Sequence, residues 1–520
     1  MEDFVMKLNY KRTLLVGCAF FLICAFWQAY DNIVPKILTD KFGMSQFWSG
    51  VIMAMDNVFA VFLLPIFGAL SDKSNSKRGK RTPFIIVGTI IAAVLFVGLS
   101  FADNMQLTAI EKVEAVSLGT QTQEGIDAYK ELYNSNVTIK LEDANGDTIS
   151  KSLSQLYSEE EFLNIELWST EYFLHVVPAR QAYAWQQTIK SPVTLVVFIL
   201  LLLGVLLSMA VFRSPAVALM PDVTPKRLRS KGNAIINLMG TFGGILVLVL
   251  GIVFGTGLSQ NDLMSYTGFF GAIAALMLVA LAVFTFTVKE PKWAREAQEI
   301  DAKEPTENDE PIGEERKLSK AELRSLIFIL ASVVLWYMGY NAVTTKYAVY
   351  AGSVLGLDYN TTLLIAQGAA IVSYIPVGLI SSKLGRKKVI LLGVICLGVA
   401  FGGAAFIRSG ASMLIVNVLF CLAGIGWAAI NVNSYPMVVE LSSASSTGKY
   451  TGFYYTASMS AQIFTPIISG FFMTYIGMET LFPYAAICVA GAFVTMLMVK
   501  HGDVKPEKKG DLLENLDIDD

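Results

Sequence analysis

Twelve apolar stretches run through this 520-residue chain in two groups of six, with a polar interval between the groups. Each is close to the roughly 20 residues that a helix needs to cross a hydrocarbon core. The first group lies near 13–34, 47–71, 83–102, 191–220, 232–257 and 265–288. The second lies near 324–345, 358–381, 389–407, 411–436, 451–475 and 479–499. Backbone groups in lipid must be satisfied within the segment, so stretches of this length predict helices. Only 16% of residues are charged and 54% are hydrophobic, where a soluble domain carries about 25% charged residues. The expected fold is an all-α membrane protein with two six-helix bundles, at 1–288 and 323–499. A linker at 289–322 joins them, and a charged tail, expected to be disordered, covers 500–520. The first stretch follows Lys7, Lys11 and Arg12 but is a full span long, contains Asp31 and lacks a small-x-small cleavage site. It is expected to be a retained helix rather than a signal peptide.

Lysine and arginine in short loops orient such a bundle. The loop after the second stretch holds Lys73, Lys77, Arg78, Lys80 and Arg81. That after the fourth holds Lys226, Arg227, Arg229 and Lys231, and that after the eighth holds Lys383, Arg386, Lys387 and Lys388. The opposite short loops contribute only Lys36, Lys41, Lys346 and Arg408. Both termini and the linker are therefore expected in the cytoplasm, and the protein in the plasma membrane. The linker, with Pro291, Pro305 and Pro311 and almost no apolar periodicity, is expected to be a tether, with a short helix at Lys320–Arg324 leading into the seventh span.

Between the third and fourth stretches lies an outer insertion, about 103–190, with 14 Asp or Glu against 6 Lys or Arg. Thr138–Ser150 reads as strand, Asn145-Gly146 turn, strand, and Leu153–Glu171 as amphipathic helix. A segment of this length is either a small solvated cap or a functional lid.

Several function classes are disfavoured. A net charge of −3 offers no basic surplus for nucleic acid. Two histidines, His175 and His501, make no His-based metal site, and the five cysteines sit inside apolar stretches with no CxxC spacing. No G-x-x-x-x-G-K-[ST] phosphate loop occurs, and no catalytic triad lies in the spans. Neither an enzyme, a metal nor a cofactor is expected.

The loops after the second and eighth stretches match: Gly68-Ala-Leu-Ser-Asp72 leads to Gly79-Lys80-Arg81, and Gly378-Leu-Ile-Ser-Ser382 leads to Gly385-Arg386-Lys387-Lys388. A repeat of this kind suggests two bundles rocking about a central site. With these motifs, the six-plus-six pattern and the linker, the chain resembles the major facilitator superfamily over nearly its whole length. The longer form running to Thr82-Pro83-Phe84, with Ala218-Leu219-Met220-Pro221-Asp222 and then Arg229 and Asn233, is similar to the sucrose-transporter and glycoside–cation symporter branches. That resemblance implies the twelve-helix fold and a cytoplasmic gate of Gly68, Asp72, Gly79, Arg81, Asp222 and Glu440. Loop anchoring by charge is a compatible role. Departures are Ser382 in place of the second acid, Val217 where plant-type sucrose carriers have arginine, and Ala60 and Leu64 where melibiose-type symporters carry acids.

An ionisable side chain within a span costs about 2.5–3.5 kcal/mol on insertion scales and usually faces a cavity or partner. Asp31, Asp56 and Arg213 are the ion-coupling candidates; the alternative is a fixed acid–arginine pair bracing helices. Lys346, near the outer boundary, is expected to snorkel. Aromatic faces and amides hold sugars in apolar clefts, which selects Trp27, Gln28, Tyr30, Asn57, Tyr340, Asn341, Gln367, Trp427, Asn431 and Asn433 as substrate-binding candidates. Packing is the competing role of each. Tyr374, Tyr454, Tyr455 and Gln462 are weaker candidates. Gly339 is read as a break point in the seventh helix, and Gly424, Gly426 and Gly452 as close-packing positions. The leading expectation is symport of a sugar or glycoside with a proton or cation. Transport of another organic solute, efflux included, and a non-transporting receptor are the alternatives.

Overall fold

The computed structural model describes residues 8–142, 148–225, 228–303, 318–439, 441 and 447–501. The expected Asn145-Gly146 turn, Glu440 and the tail beyond His501 lie outside these residues. Side chains are further undescribed at a few helical positions, Ser382 among them.

The chain forms α1 (Tyr10–Lys36), α2 (Gln46–Asp72) and α3 (Thr82–Ala109), then, beyond the insertion, α8 (Val193–Val223), α9 (Arg229–Phe254) and α10 (Thr267–Thr287). The second half holds α12 (Lys320–Tyr350), α13 (Tyr359–Leu384), α14 (Arg386–Ala404), α15 (Met413–Val439), α16 (Thr447–Tyr475) and α17 (Leu481–Leu497). Each corresponds to one apolar stretch of the sequence. Among the described residues, eleven helices are long and apolar enough to cross a membrane. The remaining helix, α16, has the length but is more polar, with Tyr450, Tyr454 and Tyr455 in its first turns. Polar side chains start several helices: Ser45 caps α2, Asp358 accepts from Asn360 N and Thr361 N at α13, and Ser319 with Glu322 forms a capping box at α12.

The two halves repeat one packing scheme. In the first, α1 lies on α9 and α10, and α3 on α8 and α10, while α2 meets α8. In the second, α12 lies on α16 and α17, and α14 on α15 and α17, while α13 meets α15. Each half has its own apolar core, and the halves join through α2 against α16 and α9 against α13. At the α2–α16 seam the backbones touch. A Cβ on Gly50 would stand 2.0 Å from the Pro466 carbonyl, and one on Gly470 2.3 Å from that of Gln46. Glycine is what lets two membrane helices approach this closely.

The insertion is a small domain with its own core, including Tyr129, Phe162, Tyr172 and Val176. It comprises a 3-10 stretch (Glu111–Gln121), α4 (Gln123–Asn134), strands β1 (Thr138–Glu142) and β2 (Thr148–Ser152), α5 (Leu153–Leu156), α6 (Glu159–Leu163) and α7 (Val177–Lys190). The strands pair antiparallel, Glu142 opposite Thr148. The stretch 153–171, expected to be helical, holds the two short helices α5 and α6. Ser152 and Ser158 each start a capping box, so each helix has its own beginning.

Where α1 passes into a π-helical turn (Ile37–Lys41), it enters a buried charge cluster on the insertion side. Lys36 Nζ donates to Asp262 Oδ1 at 2.9 Å, Arg180 of α7 reaches Asp262 Oδ2 at 3.2 Å, and Gln181 Nε2 donates to Asp40 Oδ1 at 2.9 Å. Lys41 meets Asp103 at 2.6 Å with both side chains wholly buried. Lys36 and Lys41, counted above as loop charges, are therefore structural ions. Removing one partner of a buried pair costs about 3–5 kcal/mol, because the other charge is left unpaired. Asp103→Asn is expected to lower the melting temperature in detergent by several degrees, and Lys41→Met with Asp103→Leu to recover most of it. Wild-type melting of Asp103→Asn would show that the pair contributes nothing.

The linker also departs from a simple tether. Its first part is α11 (Glu290–Lys303), which lays Trp293 and Ala297 against the first half, and Arg12 pairs with Glu296. Gly339 does not break α12: a Cβ there would lie 2.9 Å from the Ala485 carbonyl, so it serves close packing against α17. Gly424 and Gly426 are similarly tight against Ala366 O and Gly393 O, whereas a Cβ on Gly452 would meet nothing within 4 Å.

Candidate functional site

Helix α1 carries Trp27, Gln28, Tyr30 and Asp31 on consecutive turns, 17–21 residues from its start. Tyr337, Tyr340 and Asn341 stand at the same distance along α12, so both groups lie about 25–32 Å from the helix starts. The repeat thus places an acidic cluster in one half level with an aromatic cluster in the other.

In the first half, Asp31, Asp56 and Arg213 share one electrostatic neighbourhood. Among the described residues neither carboxylate forms an ion pair with Arg213. Its guanidinium lies over the Trp27 ring, 5.5 Å from the centroid. Asn57 Nδ2 donates to Asp56 Oδ1 at 2.8 Å. Tyr30 is buried with its hydroxyl unpartnered, as is the Trp27 indole nitrogen, and the two rings meet edge to face at 5.3 Å. The Tyr30 hydroxyl and the Trp27 indole nitrogen therefore keep hydrogen-bonding capacity to spare beside these charges.

In the second half, Tyr340 stacks on Trp427 with centroids 3.7 Å apart and planes 5° from parallel, while Tyr337 meets Trp427 edge-on at 5.2 Å. The Tyr337 hydroxyl is 3.4 Å from that of Tyr454, which lies 2.9 Å from Ser434 Oγ. Asn341 has a buried, unpartnered amide nitrogen. Asn431 is buried, and Asn433 donates to the Ala429 carbonyl of its own helix at 2.8 Å. Between the clusters, Gln367 Nε2 donates to Gln28 Oε1 at 2.5 Å across the seam, leaving Gln367 Oε1 without a partner.

Below this level, at the end bearing the termini, Arg81 joins the loop motif. Its Nε donates to Asp222 Oδ2 at 2.8 Å, and its guanidinium also bonds Asp72 and Ser71. Burial opposes its charge, but the bonds to Asp222 and Asp72 outweigh that and hold its pKa above the ordinary value. Gly68 packs against Ser214, and Gly79 takes φ +113° beside the Glu290 carboxylate. Glu290 was not singled out from the sequence. It accepts from Arg81 N at 2.9 Å, Thr82 N at 2.8 Å and Thr82 Oγ1 at 2.7 Å, satisfying the start of α3. The signal was its place three residues before Trp293, one helical face in an otherwise polar segment.

Lys346 does not snorkel. It is fully buried, donating to Gln46 O at 2.9 Å and approaching Gln46 Oε1 at 3.4 Å across the seam. Further bonds between the halves cluster at the insertion side: Phe47 N to Thr474 Oγ1 at 2.9 Å, Thr256 Oγ1 with Tyr359 OH at 2.9 Å, and Ser259 Oγ to Gly352 O at 3.2 Å.

The Major Facilitator Superfamily profile matches residues 182–464 and 365–515, and an MFS/sugar transport protein profile matches residues 15–118. An uncharacterized MFS-type transporter of Methanocaldococcus jannaschii is 30% identical over 125 residues, which is 24% of this chain and 30% of that protein. An uncharacterized symporter of Bacillus subtilis is 35% identical over 75 residues, 14% of this chain and 16% of its own length. The matches therefore span less than a third of either relative. Among solved structures, the inward-open xylose transporter XylE of E. coli shares the fold with a TM-score of 0.51 at 16% identity, over 98% of this chain and 99% of that one. A peptide transporter gives 0.55 at 12% identity, over 94% and 93%. The chain is an integral membrane protein and belongs to the major facilitator superfamily.

Proposed function

We propose that the protein is a secondary active transporter that moves a sugar or glycoside by symport with a proton or cation. The observation that carries this reading is the pairing, at one depth, of the Tyr340–Trp427 platform with the Asp31, Asp56 and Arg213 cluster. A flat aromatic face suits the C–H face of a pyranose, and the spare amide and hydroxyl groups of Gln367, Asn341 and Tyr30 suit its hydroxyls. The carboxylates supply a site for a coupling proton or cation, in which opening and closing change hydration. The sugar-transport profile over residues 15–118 and the bacterial symporter support the same reading.

The loop charges favour termini in the cytoplasm of a plasma-membrane protein. The insertion side is then outer, and with the halves joined there the protein faces inward. On this reading the domains are the two bundles at 1–288 and 323–499, joined through residues 289–322. Arg81 with Asp72 and Asp222 would act as the cytoplasmic gate, with Gly68 and Gly79 giving the loop its shape and Glu440 a further member.

Uptake of labelled sugars into proteoliposomes, with and without an imposed pH or sodium gradient, tests the proposal. Gradient-driven accumulation of at least one sugar is expected, and its absence over a broad panel would refute it. Trp427→Ala removes half of the platform, worth about 1–2 kcal/mol, so KM for that sugar should rise about tenfold. An unchanged KM would remove the stack from the binding site.

A further inference from the structure

Where α10 emerges into α11, a groove of about 650 Å³ opens between the end of the sixth spanning helix, the linker helix and the loop before α3. Arg78, Lys289, Lys292 and Arg295 line it, with Phe286 on its membrane side. Phe286 is 84% exposed and stands one residue from the end of α10, in a run of apolar side chains, so it meets lipid rather than protein. The groove therefore lies at the level where a membrane changes from acyl chain to headgroup.

Its charges are unbalanced. Of its two acids, Glu296 is bound to Arg12 and lies 3.9 Å from Lys292, and Glu299 is the second. Arg78, Lys289 and Arg295 are exposed at their side chains and, among the described residues, form no ion pair. Three cations with no ion-pair partner among the described residues thus surround a cavity whose charge suits an anion. Arg295 lies on α11 and Lys289 stands immediately before it, and α11 is fixed by Trp293 in the apolar core and by Glu290 on the start of α3, next to the loop that holds Arg78.

We propose that this groove binds the phosphate of an acidic phospholipid headgroup, with the acyl chains lying along α10 against Phe286. Guanidinium groups fork onto phosphate oxygens, and lysines add point charge. A basic residue near an anionic membrane surface is worth about fivefold in binding, so three together give about a hundredfold. The bound lipid would brace α11, and through Glu290 the loop that holds Arg81.

The test uses the purified full chain in detergent, followed by thermal unfolding as phosphatidylglycerol or phosphatidylcholine is added. A saturable rise in melting temperature is expected with phosphatidylglycerol and none with phosphatidylcholine. The variant with Arg78→Gln, Lys289→Gln and Arg295→Gln should need about a hundredfold more phosphatidylglycerol for the same rise. If that variant is not folded, Arg295→Gln alone should shift the midpoint about fivefold, and added salt should weaken the wild-type response. An equal response to both lipids, or a variant that responds like the wild type, overturns the proposal. Inorganic phosphate reproducing the full rise would overturn it as well, by making the groove a site for a free anion.

Discussion

Asp56→Asn is expected to abolish accumulation of solute against its gradient while leaving solute exchange measurable. A carrier that moves one proton per solute converts a two-unit pH gradient into about a hundredfold accumulation, or about 2.7 kcal/mol. Asparagine keeps the size and hydrogen-bonding capacity of the side chain but has no titratable proton and no charge to hold a cation. The variant should therefore bring internal solute to the external level and stop there, a loss of about two orders of magnitude in the accumulation ratio. Asn57 and Arg213 remain to support the local structure, so folding is expected to survive. Exchange needs only the loaded carrier to turn over, and it tests for that survival directly. Wild-type accumulation in Asp56→Asn would take this carboxylate out of coupling and move the question to Asp31. Loss of exchange as well would make Asp56 a structural residue.

The positions of the twelve long helices were legible in the sequence because lipid imposes a local rule. Each span must be apolar and long enough by itself, so no partner is needed to recognise it. The ends were less legible. Helix α1 runs on through Lys36, Asp40 and Lys41, which look like loop residues until Asp262, Arg180, Gln181 and Asp103 are placed around them. Those partners lie from 62 to 226 residues away, and no local pattern encodes such a pairing. Lys346 failed for the same reason: its acceptors belong to Gln46, 300 residues distant and in the other half.

The functional candidates were legible by type and depth. Asp31, Asp56 and Arg213 stood out because charge in a span is costly, and Trp427 with Tyr340 because aromatic residues lie near amides on the seventh and tenth helices. What the chain order could not show was contact. The coplanar stack of Tyr340 on Trp427 and the cross-seam bond from Gln367 to Gln28 exist only once α12, α15 and α13 are assembled. The linker was misread for a subtler reason. Only Trp293 and Ala297 mark the buried face of α11, and two positions are too few to register as periodicity.

The insertion reaches beyond the half that carries it, and on the proposed function this bears on how the halves would open on the insertion side. Thr170 Oγ1 lies 3.2 Å from Ser409 Oγ, between α14 and α15. Phe173 packs against Gly356, where a Cβ would stand 2.7 Å from the ring, and Lys140 lies 5.3 Å from the centre of the Tyr475 ring. All three contacts join the insertion to the second half on the side where the halves are closed. Rocking the bundles apart there must break them. Deleting the insertion is a poor test, because Arg180 and Gln181 also complete the buried charge cluster under α1. A cross-link is cleaner. Thr170→Cys with Ser409→Cys places two sulfurs within the reach of a disulfide after small adjustment, and the five native cysteines lie on spanning helices away from this contact. Oxidation is expected to lower transport by roughly tenfold or more, because one of the two alternating states is then forbidden. Reductant should restore it, while each single-cysteine variant should be indifferent to oxidant. Full transport by the oxidised double variant, with the disulfide verified by mass, would show that the insertion moves freely with the first half and leaves the second unrestrained.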